Sequence, residues 1–185
     1  MSRAIVLAVC ATLAMGTAAT PALADDGAEF MARFSGKWVG TGQLLLGADN
    51  GAEFVCELNG DPSASQRNFG MTGRCRMGTM SAAINAQLRY NADTNEFYGD
   101  FLGGAEGDGV DIVGARQGDG FSLRLMRGAT QGRLTAEKLD PDQLKVVIYY
   151  RNPLDRSELP VVAMGFTRAA GDGSDIVTGS ITPEN

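Results

Sequence analysis

A chain of 185 residues with a net charge of −6 and no histidine excludes several classes of function at once. Nucleic-acid binders draw their affinity from cations that neutralise phosphates, and this chain is acidic. Without an imidazole there is no Ser-His-Asp or Cys-His nucleophile system, no histidine-held haem, and the commonest metal ligand is missing.

The N-terminus follows the order of a secretory signal peptide. Arg3 supplies the positive charge, Ala4 to Met15 is an apolar run too short for a membrane anchor, and Ala22-Leu23-Ala24 offers small residues for cleavage. Cleavage is expected near Ala24, which removes Arg3 and leaves a more acidic mature protein in the periplasm or outside the cell. A lipoprotein reading through Cys10 is disfavoured, since Val9 is bulkier than the small residue usual at that place. No later apolar stretch reaches membrane length, so no transmembrane segment is expected. The mature chain reads as one domain over 25–168 and a loosely ordered tail over 169–185, in which Ile176 and Val177 are the apolar residues able to dock.

Asp26 to Phe34 is the one stretch with helical spacing, Phe30, Met31 and Phe34 making one apolar face. After it the period is near 2. Strands are expected at Gly36 to Leu46, Glu53 to Leu58, Asn68 to Met77, Ile84 to Tyr90 and Phe97 to Phe101. Five more follow at Gly109 to Arg116, Phe121 to Met126, Arg133 to Leu139, Leu144 to Arg151 and Val161 to Arg168. Turn chemistry separates them at Asn91 to Asn95, Gly118-Asp119-Gly120, Asp140-Pro141-Asp142 and Asn152-Pro153. The pattern predicts an all-β protein: an antiparallel up-and-down β-barrel of about ten strands, with the short N-terminal helix capping one end. Closure is favoured over an open sheet because it removes both exposed edges.

Cys10 leaves with the signal, so the mature chain keeps Cys56 and Cys75. Both fall on the apolar phase of neighbouring strands, and an oxidising compartment makes one disulfide between them the simplest outcome. The inward phase also carries Phe54, Phe69, Met71, Met77, Leu88, Phe97 and Phe101, beside Gly73 and Gly99. Adaptable methionines next to small residues suit a small apolar molecule or lipid; a filled core is the alternative. Arg116 is in phase with Val110 and Ile112 and would meet a ligand carboxylate if it pointed inward, or solvent if it lies at the rim. Val39, Leu45, Val147 and Tyr149 on the outward phase are the residues a protein-interaction module would use. For catalysis only paired carboxylates remain, and Asp100, Asp108 and Asp111 around the glycine-rich 103–109 segment lack calcium-loop spacing. No catalytic residue, metal or enzyme activity is expected.

Phe34-Ser35-Gly36-Lys37-Trp38 resembles the Gly-x-Trp signature of the calycins, the lipocalin-like barrels, and Phe166-Thr167-Arg168 resembles their closing basic residue. Leu88-Arg89-Tyr90-Asn91, Phe97-Tyr98-Gly99 and Val147-Ile148-Tyr149-Tyr150 are similar to ten-stranded nitrobindin-like members and related secreted bacterial proteins. The resemblance implies that Trp38 and Arg168 close one end of the barrel. It also implies haem on a histidine; this chain has none, so no cofactor is expected. The function expected is an exported binder of a small hydrophobic ligand, with an envelope structural or interaction module as the alternative.

Overall fold

The structure, a computed structural model, is described for residues 26–62, 68–101 and 109–170. The signal sequence expected over 1–24, the glycine-rich 102–108 segment and the tail from residue 171 lie outside the described residues.

One helix, α1 (Asp26–Ala32), precedes ten strands. These are β1 (Gly36–Leu44), β2 (Glu53–Pro62), β3 (Asn68–Met77), β4 (Met80–Asn91), β5 (Glu96–Phe101), β6 (Val110–Gln117), β7 (Gly120–Arg127), β8 (Thr130–Asp140), β9 (Gln143–Arg151) and β10 (Glu158–Arg168). Each strand pairs antiparallel with the next, and β10 returns to β1, closing the barrel. The all-β up-and-down architecture follows from the period-2 alternation, since every hairpin buries the same phase.

The connections explain why the strands pair in this register. Among the described residues four hairpins turn on two residues; in three of them Met77 pairs with Met80, Gln117 with Gly120 and Arg127 with Thr130, and in the fourth Asp140 pairs with Gln143. The first three of these loops begin with a glycine at positive φ, Gly78 at 55°, Gly118 at 59° and Gly128 at 57°. A glycine first in a two-residue loop matches the right-handed twist of the flanking strands. Elsewhere the Asx side chains shape the turn: Asn91, Asp140 and Asn152 each accept the backbone N–H two residues on, at 2.9, 2.8 and 3.0 Å.

Several boundaries differ from the sequence expectation for local reasons. α1 ends at Ala32 rather than Phe34, because the N–H groups of Arg33, Phe34 and Ser35 bond three residues back and tighten the chain into β1. β4 starts at Met80 rather than Ile84, drawn in by β3 although Ser81, Ala82 and Ala83 carry little apolar contrast. β10 reaches back to Glu158, with a bulge between Pro160 and Val162 where proline has no N–H to give the ladder.

Trp38, Phe30, Phe34, Phe97, Met31 and Cys56 are the largest fully buried side chains. Most of this mass lies at the α1 end of the barrel. Among the described residues no polar or charged side chain is buried.

Candidate binding cavity and its closed end

α1 lies across one mouth. Phe30 and Phe34 meet edge to face at 5.3 Å, Phe30 lies 5.8 Å from Phe97, Phe34 lies 5.1 Å from Phe121, and Tyr90 lies 5.2 Å from Phe97. Gly27 sits so close to Tyr90 that a Cβ on it would fall 1.9 Å from the ring. These rings form an aromatic plug at the helix end.

Trp38 and Arg168 are direct partners in the β1–β10 register, and the Arg168 guanidinium lies 4.3 Å from the indole centroid. The indole N–H donates to the Phe34 carbonyl at 3.0 Å, tying the plug to the strand. Arg168 donates to the carbonyls of Ser35 and Arg33, the latter at 2.8 Å, and to the Asp142 carboxylate at 3.2 Å. Lys138 donates to the Arg33 carbonyl at 3.4 Å and to that of Pro141 at 2.8 Å. The two cations thus satisfy carbonyls just past the end of α1, where backbone acceptors have no helical partner and the end of the dipole is negative. Burial, and next the charge of Arg168, hold the Lys138 ammonium below its ordinary range.

Beyond the plug the interior is not filled. A cavity of about 100 Å³ runs between the sheet faces, lined by Phe34, Leu58, Phe69, Met71, Ile84, Ala86, Leu88, Phe101, Phe121 and Met164 among others. Among the described residues its lining carries no ionisable side chain, Cys56 and Cys75 being joined in a disulfide. The walls grow more exposed away from α1, where Ile84, Phe101, Leu125, Ile148 and Met164 are half-buried. The Cys56–Cys75 disulfide joins directly opposed residues of β2 and β3 and forms part of this wall.

The residues singled out for ligand binding separate into groups. Phe69, Met71, Leu88 and Phe101 line the cavity together. Phe97 is buried beneath α1, within the plug rather than the cavity. Phe54 packs against the core beside Gly42, and Met77 sits half-buried at the far end of β3. Arg116 is exposed at the helix end; its Nε donates to the Gly118 carbonyl at 3.1 Å, and its guanidinium lies 4.8 Å from the Phe30 ring. It takes the rim position and does not face the cavity.

The second half of the lining, Ile112, Leu123, Leu134, Ala136, Leu144, Val146, Ile148 and Phe166, is absent from the residues chosen on sequence. The same alternation over β6 to β10 marks them. Of the outward apolar residues, Val39 is exposed at 46%, while Leu45, Val147 and Tyr149 are half-buried, Tyr149 beneath the Arg133 guanidinium at 4.2 Å. Among the described residues no helix is long and apolar enough to cross a membrane, and no group of His, Cys, Asp and Glu could hold a metal ion.

A ten-stranded closed barrel with an aromatic plug, an arginine on a tryptophan and an apolar interior defines a lipocalin-like fold. No family model matches the chain, and no curated protein matches it significantly. Solved structures of the same fold do. The chain is similar to Rv2717c from M. tuberculosis, with a TM-score of 0.59 and 15% identity over 78% of this chain and 98% of that one. It is likewise similar to the S-type phycobiliprotein lyase CPES from Guillardia theta, with a TM-score of 0.58 and 12% identity over 82% of this chain and 100% of that one. At such identities the likeness is one of fold.

Proposed function

We propose that this protein is an exported, non-enzymatic barrel that holds the apolar part of a small molecule in its interior. The observation that carries this reading is the cavity of about 100 Å³ with an apolar lining. An apolar void of roughly 150 Å³ stays dry and takes a guest the size of benzene, so this one, at about two-thirds of that volume, has room for a short alkyl segment. Met71 and Met164 line it, and unbranched thioether side chains repack for a longer guest at little cost. A polar head group would remain at the mouth away from α1, because nothing inside can hydrogen-bond it. Nor does the lining favour catalysis: among the described residues no acid, base or nucleophile faces the cavity.

Export is supported by the N-terminal pattern and by the disulfide, a bond that persists in oxidising compartments. Native mass spectrometry of protein purified from its own cell envelope, followed by titration with short fatty acids and a hydrophobic dye, tests the reading. A bound mass or saturable dye fluorescence is expected, and Ala86→Leu, which fills the cavity, should abolish it while leaving the fold intact. A ligand-free mass together with no response to either probe would sink the idea.

A further inference from the structure

The outer wall carries a second constellation. Arg124 on β7 and Arg133 on β8 are direct cross-strand partners on the outward face. Like charges in that position repel, so the sheet gains nothing from them as a pair. In the adjacent row, Arg151 on β9 lies opposite Gln131 on β8 and Glu158 on β10. The three guanidinium groups, with Ser122, Gln131 and Glu158, line a groove of about 260 Å³.

Arg133 is fixed in place. Its Nε donates to the Glu158 carboxylate at 2.8 Å, its Nη2 lies 2.6 Å from the same oxygen, and its face covers the Tyr149 ring at 4.2 Å. The bond to Glu158 raises the Arg133 pKa, and the bond to Arg133 lowers that of Glu158. Glu158 thereby answers one of the three charges. Arg151 stands directly opposite Glu158 and its charge also helps lower the Glu158 pKa, while the cross-strand neighbours of Arg124 are Val113 and Arg133. Asp111 on β6 lies opposite Met126 and outside the groove lining. Three cations against one carboxylate leave an excess of two positive charges in the groove of a chain whose net charge is −6.

We propose that this groove binds a small dianionic oxyanion, a phosphate monoester or a dicarboxylate, with Arg124 and Arg151 supplying N–H forks and Arg133 the positioned third cation. Planar guanidinium groups match the paired oxygens of such anions. The excess of two charges selects a dianion over a monoanion. Ser122 and Gln131 add neutral donors at the floor. The site lies on the outside of the wall whose inside lines the cavity, so it does not depend on the interior ligand.

Isothermal titration with inorganic phosphate and, separately, succinate tests the proposal on the oxidised mature protein, with arginine Nε–H NMR signals locating the contact. Saturable binding of one of them is expected, and the tighter of the two identifies the source of the dianion. Arg124→Gln and Arg151→Gln should each weaken it by about tenfold, the loss of one charge-assisted fork. Arg74→Gln on the outer face of β3 should leave it unchanged, as should Ala86→Leu, which separates failure here from failure of the interior binding. Absence of saturable binding by both anions, or an equal loss in Arg74→Gln, would overturn the assignment.

Discussion

Arg168 does more at the closed end than neutralise a charge. It stacks on Trp38 and satisfies carbonyls of the segment between α1 and β1, so its removal both bares the indole and strands acceptors. Arg168→Leu should lower the unfolding free energy by about 2 kcal/mol, the sum of a cation–π contact and one or two charged hydrogen bonds. Trp38 is the sole tryptophan, so its fluorescence in urea titrations reports the loss directly, with a red-shifted native emission. Arg168→Lys should recover part of the stability but not the fork geometry.

Lys138 gives the same end a pH response whose sign can be worked out. Its folded pKa is lowered by burial first and by Arg168 second, against an ordinary value of 10.5. The folded protein therefore releases this proton more readily than the unfolded chain. Stability attributable to Lys138 rises with pH between the lowered folded value and 10.5. In Lys138→Met that alkaline rise should be missing from the difference between the two stability profiles. Glu158 has the opposite signature: Arg133 lowers its pKa, so its contribution is present above 4.5 and is lost as the pH falls through the folded value. Glu158→Gln should flatten the acid limb, by a small amount because the pair is about one-third exposed.

At the scale of the element, glycine has two different jobs. Gly118 has open space where a Cβ would go, but its φ of 59° resists an L side chain. Gly99, in mid-strand on the inward phase, would place a Cβ 1.8 Å from the Gln87 carbonyl oxygen of the neighbouring strand. Its small size lets strongly coiled strands approach at a bend of the barrel wall. Thermal unfolding should accordingly rank Gly99→Ala as the more damaging change, at about 1 to 3 kcal/mol, and Gly118→Ala near 1 kcal/mol. Sequence alternation made Gly99 visible as an inward position, beside Phe97 and Phe101. That its neighbour's backbone would occupy the Cβ site was not visible, because the closeness comes from pairing between strands. Likewise the two-residue loops at Gly78-Thr79 and Gly128-Ala129 carry the same Gly-first signal as Gly118-Asp119 and were legible in principle.

For the whole molecule, the Cys56–Cys75 bond is a covalent constraint between adjacent strands. It spans a sequence separation of 19 in the first half of the barrel, a loop for which the chain-entropy model gives about 3 kcal/mol. Urea midpoints measured with and without reductant should differ accordingly, and the Cys56→Ala/Cys75→Ala double variant should match the reduced protein.

Strand alternation, turn residues and the absence of histidine are local properties, and from them the sequence by itself determined the all-β class, the hairpin order and the exclusion of imidazole chemistry. Local pattern fixes which phase turns inward, because side-chain direction in a strand depends only on parity. The tertiary structure decided the rest. Whether an interior is filled depends on a barrel radius set by closure and on volumes summed over all ten strands. Whether Arg124, Arg133 and Arg151 share a groove depends on the register of strands whose pairing no single segment encodes.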